Sequence, residues 1–179
     1  MRIYLDGEFC YRKAPWLTWK DIEDGVSKGY IASIEAIVYA SEALKENSPQ
    51  LHYELAILTE NDASEVEIIL PKLATEPYGS TEQTKNTENT ENTENTWVYL
   101  ALTWLYERKN TIDRPFQVIE EVYADFNYPE VISPLVGYMP PTDCSIYTNA
   151  SSLLDRWEIL LSTLSSELEN QRNQLHTLY

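Results

Sequence analysis

The chain has 179 residues, of which 29 are acidic and 13 basic, and it carries a formal net charge of -16. Such a field repels polyanions, which argues against nucleic acid and anionic membranes as partners and makes a basic protein the expected counterpart. With 43% hydrophobic residues the chain can bury a core without disulfides or a structural metal, and its two cysteines, Cys10 and Cys144, form no CxxC pair.

No apolar run approaches the roughly eighteen residues a membrane span needs, and the segment Met1–Asp6 lacks the apolar stretch of a secretory signal, so a cytoplasmic location is expected. The expected architecture is all-α: one domain over 1–179, an irregular, orthogonally packed bundle of about seven or eight helices. It is interrupted by a disordered, low-complexity surface loop over 76–96.

In chain order, residues 1–17 carry Tyr4, Phe9, Tyr11 and Trp16 too irregularly for a helix and read as a packed arm with at most one short extended piece. Thr18 with Asp21 predicts a capped helix from Trp19 to Lys28, closed by Gly29. Ser33 is placed to cap a second helix carrying Ile34, Ile37, Val38, Ser41 and Leu44, ending near Asn47. Leu51, Leu55 and Leu58 suggest a third, and Val66, Ile69, Leu70 and Leu73 a fourth that Pro71 should kink or shorten.

In the tract 76–96, Pro77 and Gly79 are followed by a Thr-Glu-Asn triplet repeated without an apolar residue, which cannot offset its ordering entropy by burial. Beyond it, Trp97, Leu100, Ala101, Trp104 and Leu105 mark a fifth, amphipathic helix. Asp113 and Pro115 open a sixth, also amphipathic, carrying Val118, Ile119, Val122 and Tyr123. Tyr128-Pro129 breaks the chain, a short helix is expected over Val131–Tyr138, and Met139-Pro140-Pro141 ends it. The last helix should begin near Asn149 and run past Glu167, with a seam of Leu154, Trp157, Leu161, Leu164 and Leu168. The seam is short, so it is expected to dock on the chain's own core, leaving a monomer or weak dimer.

Residues suited to catalysis are scarce. A hydrolytic triad needs a histidine base, and only His52 and His176 exist, the second in a polar tail. No dinucleotide, P-loop or zincin motif occurs, and the same scarcity argues against zinc; no catalytic residue, metal or cofactor is expected, and the protein reads as not an enzyme. Carboxylate chemistry with Mg²⁺ or Mn²⁺ is the alternative, because Glu120, Glu121 and Asp125 lie on one helix and positions 121 and 125 share a face. A self-associating scaffold built on the last helix is the other.

The stretch Tyr123-Ala124-Asp125-Phe126-Asn127-Tyr128-Pro129-Glu130, with Tyr138 further on, mixes aromatic anchors and acids. One reading makes Glu120, Glu121, Asp125, Tyr128 and Tyr138 contacts for a partner. In the other, Tyr123, Phe126 and Tyr128 lock a turn that Asp125 caps.

The run Val118–Glu130, followed by Tyr138-Met139-Pro140, resembles an uncharacterised bacterial family carried as a domain of unknown function. Trp19–Ile22, Gly25, Gly29–Ile31, Tyr39-Ala40 and Leu154–Trp157 support the resemblance, while 81–96 departs from the pattern. The resemblance implies a bacterial origin and supplies no activity, cofactor or catalytic residue. Small acidic proteins of this kind look like immunity proteins that block a toxin, which makes a basic toxin domain the concrete form of the expected partner.

Overall fold

A computed structural model describes the backbone over 3–75, 88–137 and 152–177, and the side chains over 3–75, 93–137 and 152–172. Among the described residues the protein is all-α, as expected: eight α-helices and two short 3-10 helices, with a single bridge pairing Leu5 and Ile31 in parallel.

The first helix, α1 (Gly7–Lys13), lies where the sequence suggested an irregular arm. Asp6 caps it, its carboxylate accepting from the Phe9 amide at 2.6 Å, and Arg12 and Lys13 complement its C-terminal end. Seven residues are too few to show a period, so the helix depends on packing against α3 (Ser33–Ala43). Gly7 makes that packing possible. A Cβ there would lie 2.2 Å from the Glu35 carbonyl oxygen and 2.5 Å from the Tyr39 amide nitrogen, so only glycine lets the two backbones approach.

Helix α2 (Trp19–Lys28) forms as read: Thr18 and Asp21 make a reciprocal capping box, and Gly29 closes the helix in the left-handed region at φ 74°. Helix α3 starts as expected, but its cap is Ala32, without a side-chain bond, and it stops at Ala43 rather than Asn47 because Leu44 turns extended. Helices α4 (Gln50–Ala56) and α5 (Ala63–Thr75) follow, α5 preceded by a 3-10 turn at Glu60–Asp62. Pro71 does not end α5. It sits in the last part of the helix, which runs on to Thr75.

Helix α6 (Glu88–Glu107) begins well before Trp97. Residues 76–87 of the expected loop lie outside the described residues, but Thr93 and Thr96 are buried in helix, so the end of the Thr-Glu-Asn tract belongs to α6. Nor is α6 amphipathic over its middle: Thr96 to Thr103 are all buried, which marks a stretch enclosed on every side, while Trp104 and Tyr106 are half-buried and Glu107 is exposed. Helix α7 (Pro115–Asp125) follows the expected pattern, with Pro115 in its first turn and Arg114 at its N-cap at φ 52°. The short helix after it is a 3-10 segment, Glu130–Leu135. Helix α8 (Leu153–Thr177) starts from a capping box in which Ser152 and Asp155 exchange bonds, while Asn149 lies outside the described residues. Its buried seam is Trp157, Leu160, Leu164 and Leu168, and Leu154 is exposed.

The sequence reading took 1–179 as one domain; the packing groups the chain into two compact units. The N-terminal unit takes the residues up to Thr93 together with the end of α8 from Arg172, and the C-terminal unit takes Glu94–Gln171. In the N-terminal unit α1 packs on α3, α2 on α5 and α3, and α4 on both α3 and α5. Tyr39 lies at its centre, edge-on to Tyr11 and Trp19, with its hydroxyl donating to the Leu17 carbonyl. In the C-terminal unit α6 supplies Trp97, Val98, Leu100, Leu102 and Leu105 to the core, α7 packs on the 3-10 segment after it, and Trp157 lies against the rings of Tyr106 and Phe116.

Candidate protein-binding face

Helix α7 is two-sided by its periodicity. Val118, Ile119, Val122 and Tyr123 are buried, while Gln117, Glu120, Glu121, Ala124 and Asp125 are exposed. One acid stands at the unfavourable end of the helix. A helix carries partial positive charge at its N-terminus and negative charge at its C-terminus, yet α7 has no acid in its first turn and no base in its last. Asp125 is its final residue, and Glu121 one turn earlier adds like charge on the same face. An acid at this end costs a few tenths of a kcal/mol by ordinary helix energetics, so the Asp125 carboxylate does not stabilise the helix that bears it.

The chain leaves α7 through a wrapped turn. The Phe126 amide donates to the Val122 carbonyl, that of Asn127 to Ala124, and that of Tyr128 reaches back to Tyr123 at 2.7 Å. Closing the turn puts Asn127 and Tyr128 in the left-handed region at φ 57° and 62°. Asparagine tolerates that region; tyrosine carries the usual Cβ penalty there. Phe126 is buried and anchors the turn, and the Tyr128 ring packs edge-on against Tyr123 with centroids 5.2 Å apart. Tyr128 nonetheless stays 61% exposed. Of the two readings of this stretch, the turn lock is seen in Tyr123 and Phe126, while Asp125 accepts no capping bond among the described residues.

Four of the five candidate contact residues, Glu120, Glu121, Asp125 and Tyr128, are exposed along α7 and the turn after it, and Tyr138 lies outside the described residues.

The groups considered for chemistry are placed elsewhere. His52 is buried, its Nε2 donating to the Ala40 carbonyl at 2.8 Å and its ring edge-on to Trp19. Burial pushes its pKa down, outweighing the hydrogen bond to Ala40, so the imidazole is a neutral core donor. Burial, with Asp6 and Glu35 nearby, pushes the Cys10 thiol far above the ordinary range, which holds it in its unreactive protonated form. Cys144 and the side chain of His176 lie outside the described residues. Among the described residues no three His, Cys, Asp or Glu side chains converge as metal ligands would, and no helix is long and apolar enough to cross a membrane.

The model of a family described as "Uncharacterized protein conserved in bacteria (DUF2247)" matches residues 8–164. The chain belongs to this family. The resemblance drawn from Val118–Glu130 is thereby borne out, and the DUF2247 match includes Glu120, Glu121, Asp125 and Tyr128 but ends before Arg172. No curated protein and no solved structure matches the chain.

One feature had no signal in the sequence. Arg172, in the polar end of α8, forms a buried ion pair with Asp21. Nothing local to a lone arginine among polar residues identifies a partner 151 positions away.

Proposed function

We propose that this DUF2247 protein is a non-enzymatic binding protein that uses the end of α7 to cover a basic surface, most concretely as an immunity protein neutralising a basic toxin domain. The observation that carries the reading is the arrangement on α7: Asp125 at the end where the helix dipole disfavours an acid, with Glu121 one turn before it, beside an exposed tyrosine held in a left-handed turn. An approaching cation relieves both the dipole mismatch and the repulsion between carboxylates, while Tyr128 offers a large, pre-oriented ring with a polar tip. The net charge of -16 speeds encounter with a basic partner.

The test is growth protection. The protein is co-expressed with the product of the adjacent reading frame, and binding of the purified pair is measured. The reading expects that product to arrest growth and the protein to restore it. Tyr128→Ala should weaken binding by about 30-fold, the scale of a hot-spot residue near 2 kcal/mol. Asp125→Lys should slow association and flatten its salt dependence. Both variants should melt within about 0.5 kcal/mol of the parent, as surface changes do. A neighbour without toxicity counts against the immunity role, and a complex indifferent to both substitutions counts against this face.

A further inference from the structure

The Asp21 carboxylate serves two structures at once. As the third residue of α2 it accepts from the Thr18 amide at 2.9 Å and the Thr18 hydroxyl at 2.7 Å, completing the capping box. It also receives the Arg172 guanidinium, Nε to Oδ2 at 3.1 Å and Nη2 to Oδ1 at 2.6 Å. The two side chains are 2% and 5% exposed. A planar fork fits a carboxylate in this two-bond manner, which a lysine cannot reproduce. Buried pairs of this kind add little net stability over an apolar pair, because desolvation offsets their attraction, but removing one partner leaves a buried charge uncompensated. Their contribution is to position.

Past Leu168 the α8 side chains Glu169, Asn170 and Gln171 are exposed, and Arg172 is the next buried one. We propose that Arg172 is a latch: its fork on the α2 capping carboxylate fastens the end of α8 within the N-terminal unit, and opening it frees that end and loosens the first turn of α2 together. Arg172 lies past the residues matched to the family and Asp21 lies within them. The latch is independent of the α7 face.

A double-substitution cycle read by hydrogen exchange tests it on the full chain. The probes are the amides of Asp21 and Ile22, which bond back to Thr18. Arg172→Leu should speed their exchange by roughly 100-fold or more, the scale of breaking a buried ion pair. Asp21→Asn keeps a capping oxygen for Thr18 but takes the carboxylate from the guanidinium, so alone it should also speed exchange. Combined, the two substitutions remove both charges, and protection should return to within about tenfold of the parent. Arg172→Lys should fall between parent and Leu. The proposal is overturned if Arg172→Leu leaves these amides protected, or if the double variant exchanges as fast as the two single effects multiplied or fails to fold.

Discussion

The two units of this protein are specified in different ways. The N-terminal unit is positioned by polar contacts: Asp6 and Thr18 cap its first two helices, His52 donates to a buried carbonyl, and Asp21 holds Arg172 inside it. The C-terminal unit relies more on apolar mass, although Ser152 and Asp155 cap its last helix. Helix α6 is buried around its whole circumference from Thr96 to Thr103, α7, like α3 of the N-terminal unit, has no side-chain cap, and the Trp157 indole N–H is buried without a hydrogen-bond partner among the described residues. Polar anchors are directional and fix where an element sits, whereas apolar burial is non-directional and tolerates a missing bond provided the volume is filled. A unit held by its interior leaves its surface helix free to carry charge at an end where the helix dipole disfavours it, and Asp125 of α7 is such a charge.

The contrast breaks first at Trp157. Trp157→Ala should cost about 3–5 kcal/mol in urea unfolding, as emptying a large aromatic site does. Trp157→Phe should cost much less, since the N–H it removes has no hydrogen-bond partner among the described residues. If Phe were as damaging as Ala, the indole N–H would be in use and the C-terminal unit would be anchored by polar contact after all.

Gly7 tests the other side. Gly7→Ala should cost about 1–3 kcal/mol or more, because the atoms its Cβ would meet are backbone atoms of α3 that cannot rotate away. The loss should appear as lower protection in α1 and α3. An unchanged unfolding midpoint would mean that the close approach of the two backbones is not what holds α1.

The smallest effect is the sharpest in kind. The imidazole of His52 has its pKa lowered in the folded protein from an ordinary value of 6.5, so the unfolded chain binds the proton more readily. Its contribution to stability is full above about pH 6.5 and is lost as the pH falls below that value toward the lowered folded pKa. His52→Gln keeps a donor but does not titrate. Between pH 7.5 and 5.5 its unfolding midpoint should fall less than the parent's, and equal slopes would mean that the buried imidazole takes no part in the acid response.

How far the fold could be read ahead followed the range of the interactions. Helix α2 was legible to the residue because Thr18, Asp21 and Gly29 act on their own backbone within one turn. Helix α1 was not, because it is stabilised by α3 more than by its own seven residues. The start of α6 was missed for the same reason: a polar Thr-Glu-Asn run has no helical signal of its own, and burial of Thr93 and Thr96 holds it in helix. The α7 face was legible in position, since Glu120, Glu121 and Asp125 fall on the side opposite its buried residues. The left-handed turn that presents Tyr128 could not be read from a tyrosine.

The amino-acid order alone determined that this chain is acidic, helical and poor in catalytic side chains, because charge, periodicity and composition need no partner to be counted. Only the folded arrangement decided that α1 is a helix, that the middle of α6 is enclosed, and that Asp21 meets Arg172. Those outcomes depend on groups far apart in the chain, and such contacts leave no mark in any short window of sequence.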